Sequence, residues 1–266
     1  MSAILNLIRE LVVKDLKIRY SRPALGFLWA FILPLLVTVA FYVVFGMILK
    51  IKTEEAPFFL YLMSAVFIWR FLQDAVTGAA TSLVDNKSLF RESHLAHYLI
   101  PVSIVISHAL SFLPSLIITI LVSIFVLKGL PVFFLLLPVV LILYLCLSTG
   151  MAIIFSILYV RWRDTKYVLE AALLLLFYST PAFYSLYLVR DSFPPFLFRI
   201  YALNPFVGIL TFYRVSLLKG YYAAVSNEVG LLSLVIVPVA FTVIVIFLAY
   251  YLYRQNKHKI NDYLSY

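Results

Sequence analysis

Arg70 and Asp74 stand four residues apart inside an otherwise apolar stretch. On a helix that spacing puts both side chains on one face, where each charge compensates the other. Ionisable residues within a membrane segment are rare and mark a bundle interior, an aqueous path or a proton relay. A relay needs more titratable groups than this pair and His108 supply, so a lock between helices and a pathway role stand level. His94 and His97 are three apart, but no H-E-x-x-H surrounds them. Judged against the usual ligand sets, no metal site is expected. The one cysteine, Cys146, excludes an internal disulfide framework. No G-x-x-x-x-G-K-[ST], G-x-S-x-G or ion-filter string occurs, so no catalytic residue and no cofactor are expected in the chain itself.

Aromatic residues make up 17% of the chain. Trp29, Phe41, Tyr42, Trp69, Phe177, Tyr178 and Phe183 lie within apolar segments. Plain packing is one reading of them. Lining a path for sugars is the other, because a ring face stacks on the C–H face of a pyranose and Tyr adds a hydroxyl.

These side chains must be held by membrane elements. Of 266 residues, 64% are hydrophobic and 12% charged, and the mean hydropathy is +1.05. A soluble domain carries roughly twice that share of charge, which excludes an ordinary soluble enzyme; disorder has the reverse composition. About 20 apolar residues cross ~30 Å of hydrocarbon. Six spans are expected, over 24–49, 57–84, 99–127, 130–160, 167–189 and 229–253. Tyr201–Tyr213 is uncharged but short, so the 190–228 segment is expected to be external and re-entrant or interfacial. The first span is too long for a signal-peptide core and is expected to be retained. No repeat divides the chain, which reads as one all-α membrane domain over 1–266.

The net charge of +9 follows the same logic. Arg9, Lys14, Lys17, Arg19, Arg22, Lys87, Arg91, Arg161, Arg163, Lys166, Arg254, Lys257 and Lys259 fall on one side of the expected membrane. Lys50, Lys52, Lys128, Arg190, Arg199, Arg214 and Lys219 fall on the other. Thirteen against seven puts both termini in the cytoplasm. Within 1–22, Ile4, Leu5, Leu7, Ile8, Leu11, Val12, Leu16 and Ile18 share one broad helical face, into which Asp15 and Arg19 intrude as an i,i+4 pair. An interfacial helix is expected there, either as a basic flank or as a surface gripped by a cytoplasmic partner. The 85–98 loop has room for a short helix, with Leu89, Phe90, Leu95 and Tyr98 among Lys87, Arg91 and Glu92.

Three strings carry a family likeness. Asp15–Leu35 reads DLKIRYSRPALGFLWAFILPL, Tyr159–Tyr167 reads YVRWRDTKY, and Leu203–Tyr213 reads LNPFVGILTFY, followed by Arg214. Together, and in this order, they resemble the permease subunit of ABC-2 type polysaccharide exporters. The 85–98 loop departs from that family's pattern, with Glu92 and two histidines. The resemblance implies a homodimer with one continuous channel. It also implies two copies of a separate P-loop ATPase, which holds ATP and Mg, and an undecaprenyl-linked polysaccharide as cargo. O-antigen is the first expectation; teichoic acid, capsular polysaccharide, or a drug or lipid are alternatives. The setting implied is the bacterial cytoplasmic membrane. Carried over to this chain, Lys17, Arg19 and Tyr20 belong to the interface helix, and Leu89, Phe90 and Arg91 to the coupling loop. Arg161, Arg163 and Asp164 belong to the inner loop. An ion-coupled carrier and a membrane scaffold are the competing classes.

Overall fold

The computed structural model describes residues 2–20, 26–53, 56–92, 96–226, 230–257 and 259–260, without the side chains of 2, 3 and 90–92. Helix α1 is Ser2–Tyr20 and α2 is Trp29–Phe41, entered through a 3₁₀ turn and extended by a π-helical segment, Tyr42–Ile48. Then follow α3 (Phe58–Asp85), α4 (Lys87–Glu92), α5 (Leu99–Leu127), α6 (Leu137–Arg161) and α7 (Thr165–Tyr178). The remaining helices are α8 (Leu186–Ser192), α9 (Pro195–Ala202), α10 (Pro205–Leu217), α11 (Tyr221–Val225) and α12 (Val237–Asn256). Among the described residues, five helical stretches are long and apolar enough to cross a membrane: Gly26–Ile48, Phe58–Asp85, Leu99–Leu127, Phe134–Arg161 and Leu232–Asn256. Counting the bent pair α9–α10 as one span makes six. The all-helical membrane architecture expected from composition is therefore the one observed.

One segment differs in form from its expectation. The stretch 167–189 is not a single helix: α7 stops at Tyr178, the chain breaks over 179–185, and α8 resumes. Pro181 offers no N–H and disfavours helix at Thr180, so the ladder cannot continue. Thr180 Oγ1 donates to the Phe177 carbonyl at 2.9 Å, and Ser185 caps α8 by accepting from the Tyr187 N–H at 3.0 Å. At 14 residues α7 is only about 21 Å long, short of the hydrocarbon thickness. The Tyr201–Tyr213 stretch is irregular too, spanning the junction of two helices. Asn204 caps α10 through the Phe206 N–H at 3.0 Å, Pro205 opens the helix, and α9 and α10 meet at 74° over Tyr201–Tyr213.

Helix α3 is the axis of the bundle, with 78% of its most apolar window enclosed, against 11% for Gly26–Ile48. It packs against α2, α5, α6 and α7. Ala75, Gly78, Ala79 and Ala80 keep its surface low enough for neighbours to approach closely. A similar approach joins α10 to the start of the last span: a Cβ on Gly208 would lie 2.3 Å from the Ser233 carbonyl oxygen and 2.6 Å from Pro238 Cγ.

The break after α7 is held by Arg214 of α10, whose side chain is fully buried. Its Nη1 donates to the Pro181 carbonyl at 2.6 Å, and its Nη2 to the carbonyls of Tyr61 and Ala182 at 3.0 and 3.1 Å. Its Nε donates to Ser64 Oγ at 3.1 Å, and the guanidinium carbon sits 3.4 Å from the Tyr61 ring centre. The Tyr61 hydroxyl donates to the Pro181 and Tyr184 carbonyls at 3.1 and 2.9 Å. The cation thus exchanges its water for oxygens and a ring face, and ties α10 and the break to α3.

Two consequences are measurable by thermal unfolding of the detergent-solubilised protein. Arg214→Met strips the donors from these oxygens and lowers stability by about 3 kcal/mol; Arg214→Lys does not restore it, because a point charge cannot replace the planar fork. Gly208→Ala is destabilising by about 1–3 kcal/mol or more, because the Ser233 backbone must move.

Candidate functional site

Five of the seven candidate aromatics meet in one cluster. Phe177 of α7 lies at its centre, with ring centres 6.0 Å from Phe41, 5.5 Å from Trp69, 5.7 Å from Tyr178 and 6.1 Å from Phe183. Phe183, in the break after α7, also stacks on Phe45 at 4.9 Å. Three elements deliver these rings: α2 brings Phe41, α3 brings Trp69, and α7 with its break brings the rest. Tyr42 packs instead against Phe58 and Phe59, at 6.3 and 5.4 Å. Trp29 stands outside the cluster, 43% exposed on α2. Beside the rings lies a cleft of about 170 Å³, walled by Pro34, Phe41, Trp69, Phe177 and Tyr178, with Arg70 and Gln73 as its charged and amide groups.

Arg70 and Asp74 form the pair that their spacing predicts, with Nε donating to Oδ2 at 2.8 Å. Both are about one-third exposed. Arg70 also lines a second, smaller cavity of about 80 Å³. Arg19, Tyr20, Arg70, Asp74, His108 and Ser111 contribute to its wall. Arg70 and Pro34 belong to both cavities.

The second cavity is where the N-terminal helix enters the bundle. Val12, Asp15 and Arg19 lie on one stripe of α1, which packs against α5. Arg19 donates to the Asp15 carboxylate, and the same carboxylate accepts from the Ser107 hydroxyl. The other arm of Arg19 donates to His108 Nδ1 at 3.1 Å. An arginine only donates, so Nδ1 is the acceptor nitrogen of that ring. His108 lies nine residues into α5, about 14 Å along the helix. The last turns of α1 therefore rest against the side of α5 through Asp15 and Arg19, while Ile4, Leu5, Lys17 and Ile18 stay exposed. Sequence spacing identifies each charged pair. It does not reveal that the pairs face one cavity, nor that His108 stands between them, because those side chains come from three helices distant in the chain.

The remaining interface candidates lie at the end of the bundle where α6 and α12 finish. Lys17 is exposed on α1, and Lys14 Nζ donates to Asn86 Oδ1 at 3.0 Å. Arg161, Arg163 and Asp164 are exposed on the α6–α7 turn. Arg161 sits 4.4 Å from the Trp162 ring centre and Arg163 5.1 Å from that of Tyr159. Leu89 of α4 packs against a small cluster formed by Leu83, Ile100, Ile157, Val160 and Ile260. The side chains of Phe90 and Arg91 lie outside the described residues, as do Glu92's side chain and His94. Among the described residues, no group of three or more His, Cys, Asp or Glu is close enough to hold a metal ion.

Known proteins resemble this arrangement in sequence. The chain is 27% identical over 209 residues to the O-antigen export system permease protein RfbA of Myxococcus xanthus, covering 79% of each chain. It is also 27% identical over 209 residues to the protein of the same name from Klebsiella pneumoniae, covering 78% of each. Residues 6–218 match the ABC-2 type transporter family, from the helix that docks on α5 to the end of the helix that carries Arg214. With its long apolar helices and a match over most of its length, the chain is a multi-pass membrane protein that belongs to the ABC-2 type transporter family.

Proposed function

We propose that this chain is the membrane subunit of an ABC exporter that carries lipid-linked polysaccharide, O-antigen first, out across the bacterial cytoplasmic membrane. The observation that carries the reading is the aromatic cleft with Arg70 and Gln73 in its wall. Ring faces stack on the C–H faces of sugars, while guanidinium, amide and phenol groups exchange hydrogen bonds with hydroxyls. The names of the relatives support the cargo. A hydrophilic polymer cannot cross hydrocarbon without a lined path.

Two copies form the working unit in this reading. The Gly26–Ile48 stretch is the least enclosed of the long helices, and it flanks the cleft. A second copy set against it closes the path. Both termini lie in the cytoplasm, where two copies of a P-loop ATPase bind beneath α1, α4 and the Arg161–Asp164 turn. ATP and Mg belong to that partner. Its closure moves the two copies as rigid bodies.

The reading is tested by purifying the chain from native membranes in gentle detergent and identifying what accompanies it by mass spectrometry. A stoichiometric P-loop ATPase and an undecaprenyl-linked glycan are expected. A glycan with teichoic acid or capsular chemistry redirects the cargo, and a chain that works on an ion gradient without ATP overturns the class. Within the cleft, replacing Arg70 and Asp74 together by Leu abolishes export of surface polysaccharide while leaving the chain in the membrane; unchanged export removes the pair from the path. Phe177→Ala slows export about tenfold through loss of its stacking partners.

A further inference from the structure

The most unusual use of polar groups in this bundle lies outside the cleft, where α1 meets α5. An exposed surface helix is satisfied by water and has no need of charged anchors. Here Asp15 and Arg19 point inward and engage Ser107 and His108 of α5, a helix whose buried positions also include Ser103, Ser111, Ser115, Thr119 and Ser123. The anchor is a set of mutually dependent hydrogen bonds. Asp15 holds Arg19 and Ser107, and Arg19 in turn needs an acceptor at His108 Nδ1. The back of the His108 ring is set by Gly78 of α3, where an added Cβ would come within 3.1 Å of Nε2. The ring is thus held between two helices with its acceptor nitrogen presented to the third.

We propose that His108 is a positioning residue: its Nδ1 docks α1 against α5 in a releasable state, and α1 leaves this seat when the exporter turns over. Polar docking suits release, because hydrogen bonds that border a small cavity can exchange for water with little net loss, whereas an apolar seat exposes its surface on opening. The cavity of about 80 Å³ beside Arg19 and His108 has room for such water. The proposal rests on the exporter reading for what drives release, and on this chain alone for the docking.

The test uses the full chain in native membrane vesicles, with Cys146→Ser removing its only thiol and Val12→Cys placing one on the docked stripe, where Val12 is 6% exposed. Labelling by a maleimide reports whether α1 is seated. Without ATP, the expected order is slow labelling in this parent, about tenfold faster labelling with His108→Leu, and a return to the slow rate with His108→Asn, whose Oδ1 replaces the lost acceptor. Gly78→Ala, which removes no polar group and favours helix, also speeds labelling by displacing the ring. Labelling by both His108→Leu and Gly78→Ala at the parent's rate overturns the docking role. With ATP and the co-purifying ATPase, the parent labels faster and the His108→Leu chain does not respond; a parent indifferent to ATP overturns the release. If no ATPase co-purifies, the exporter reading has failed instead, and the ATP-free comparison still decides whether His108 docks α1.

Discussion

A charge withdrawn from water keeps its favourable energy only if the protein supplies what the solvent gave up. In this bundle α3 is the helix against which that exchange is made. It carries Arg70 and Asp74 on one stretch and offers Ser64 and the Tyr61 carbonyl and ring to Arg214 on another. Arg70 and Asp74 partner each other within α3, whereas Arg214 draws its partners from elements far away in sequence. Arg214 thereby ties α10 and the break after α7 to α3, while Asp15 and Arg19 tie α1 to α5.

The two halves of the molecule solve the problem differently. Toward the break after α7, Arg214 has only neutral partners in the described structure: carbonyls, a hydroxyl and a ring. A proline-broken turn exposes backbone carbonyls that no helix satisfies, and a buried guanidinium is the group with enough donors in one plane to take several at once. Break and cation stabilise each other, so α7 can stop short of a full span without leaving orphaned oxygens in an apolar setting. Around α1 the charges are paired with charges, and the groups border small cavities. The first solution gives a rigid joint, the second a set of exchangeable contacts.

The aromatic cleft depends on both. Phe183 is placed by the break that Arg214 holds, and Arg70 is placed by Asp74 on the same helix face. The floor of rings is therefore anchored to the rigid joint, while the polar wall is shared with the seat of α1.

Composition and spacing alone determined much of this protein. Apolar runs of bilayer length must become helices in lipid, since only there can each backbone group find its partner locally, and this fixed the all-α membrane class and the long spans. The i,i+4 pairs Asp15–Arg19 and Arg70–Asp74 were equally legible, because a helix sets their geometry without help from the rest of the chain. The uncharged Tyr201–Tyr213 was marked as irregular by its length, too short to cross the hydrocarbon. Three things were decided only by the tertiary structure. The break at 179–185 lay hidden in an apolar run, because hydropathy does not register that Pro181 ends a helix when Arg214, 33 residues on, stands ready to satisfy the opened carbonyls. Which aromatics gather, and that Trp29 and Tyr42 do not join the Phe177 cluster, depends on helix rotation, to which uniformly apolar faces are blind. And His108 reads as a lone histidine until α1, α3 and α5 are folded together, because its partners lie on other helices and no local spacing rule connects them.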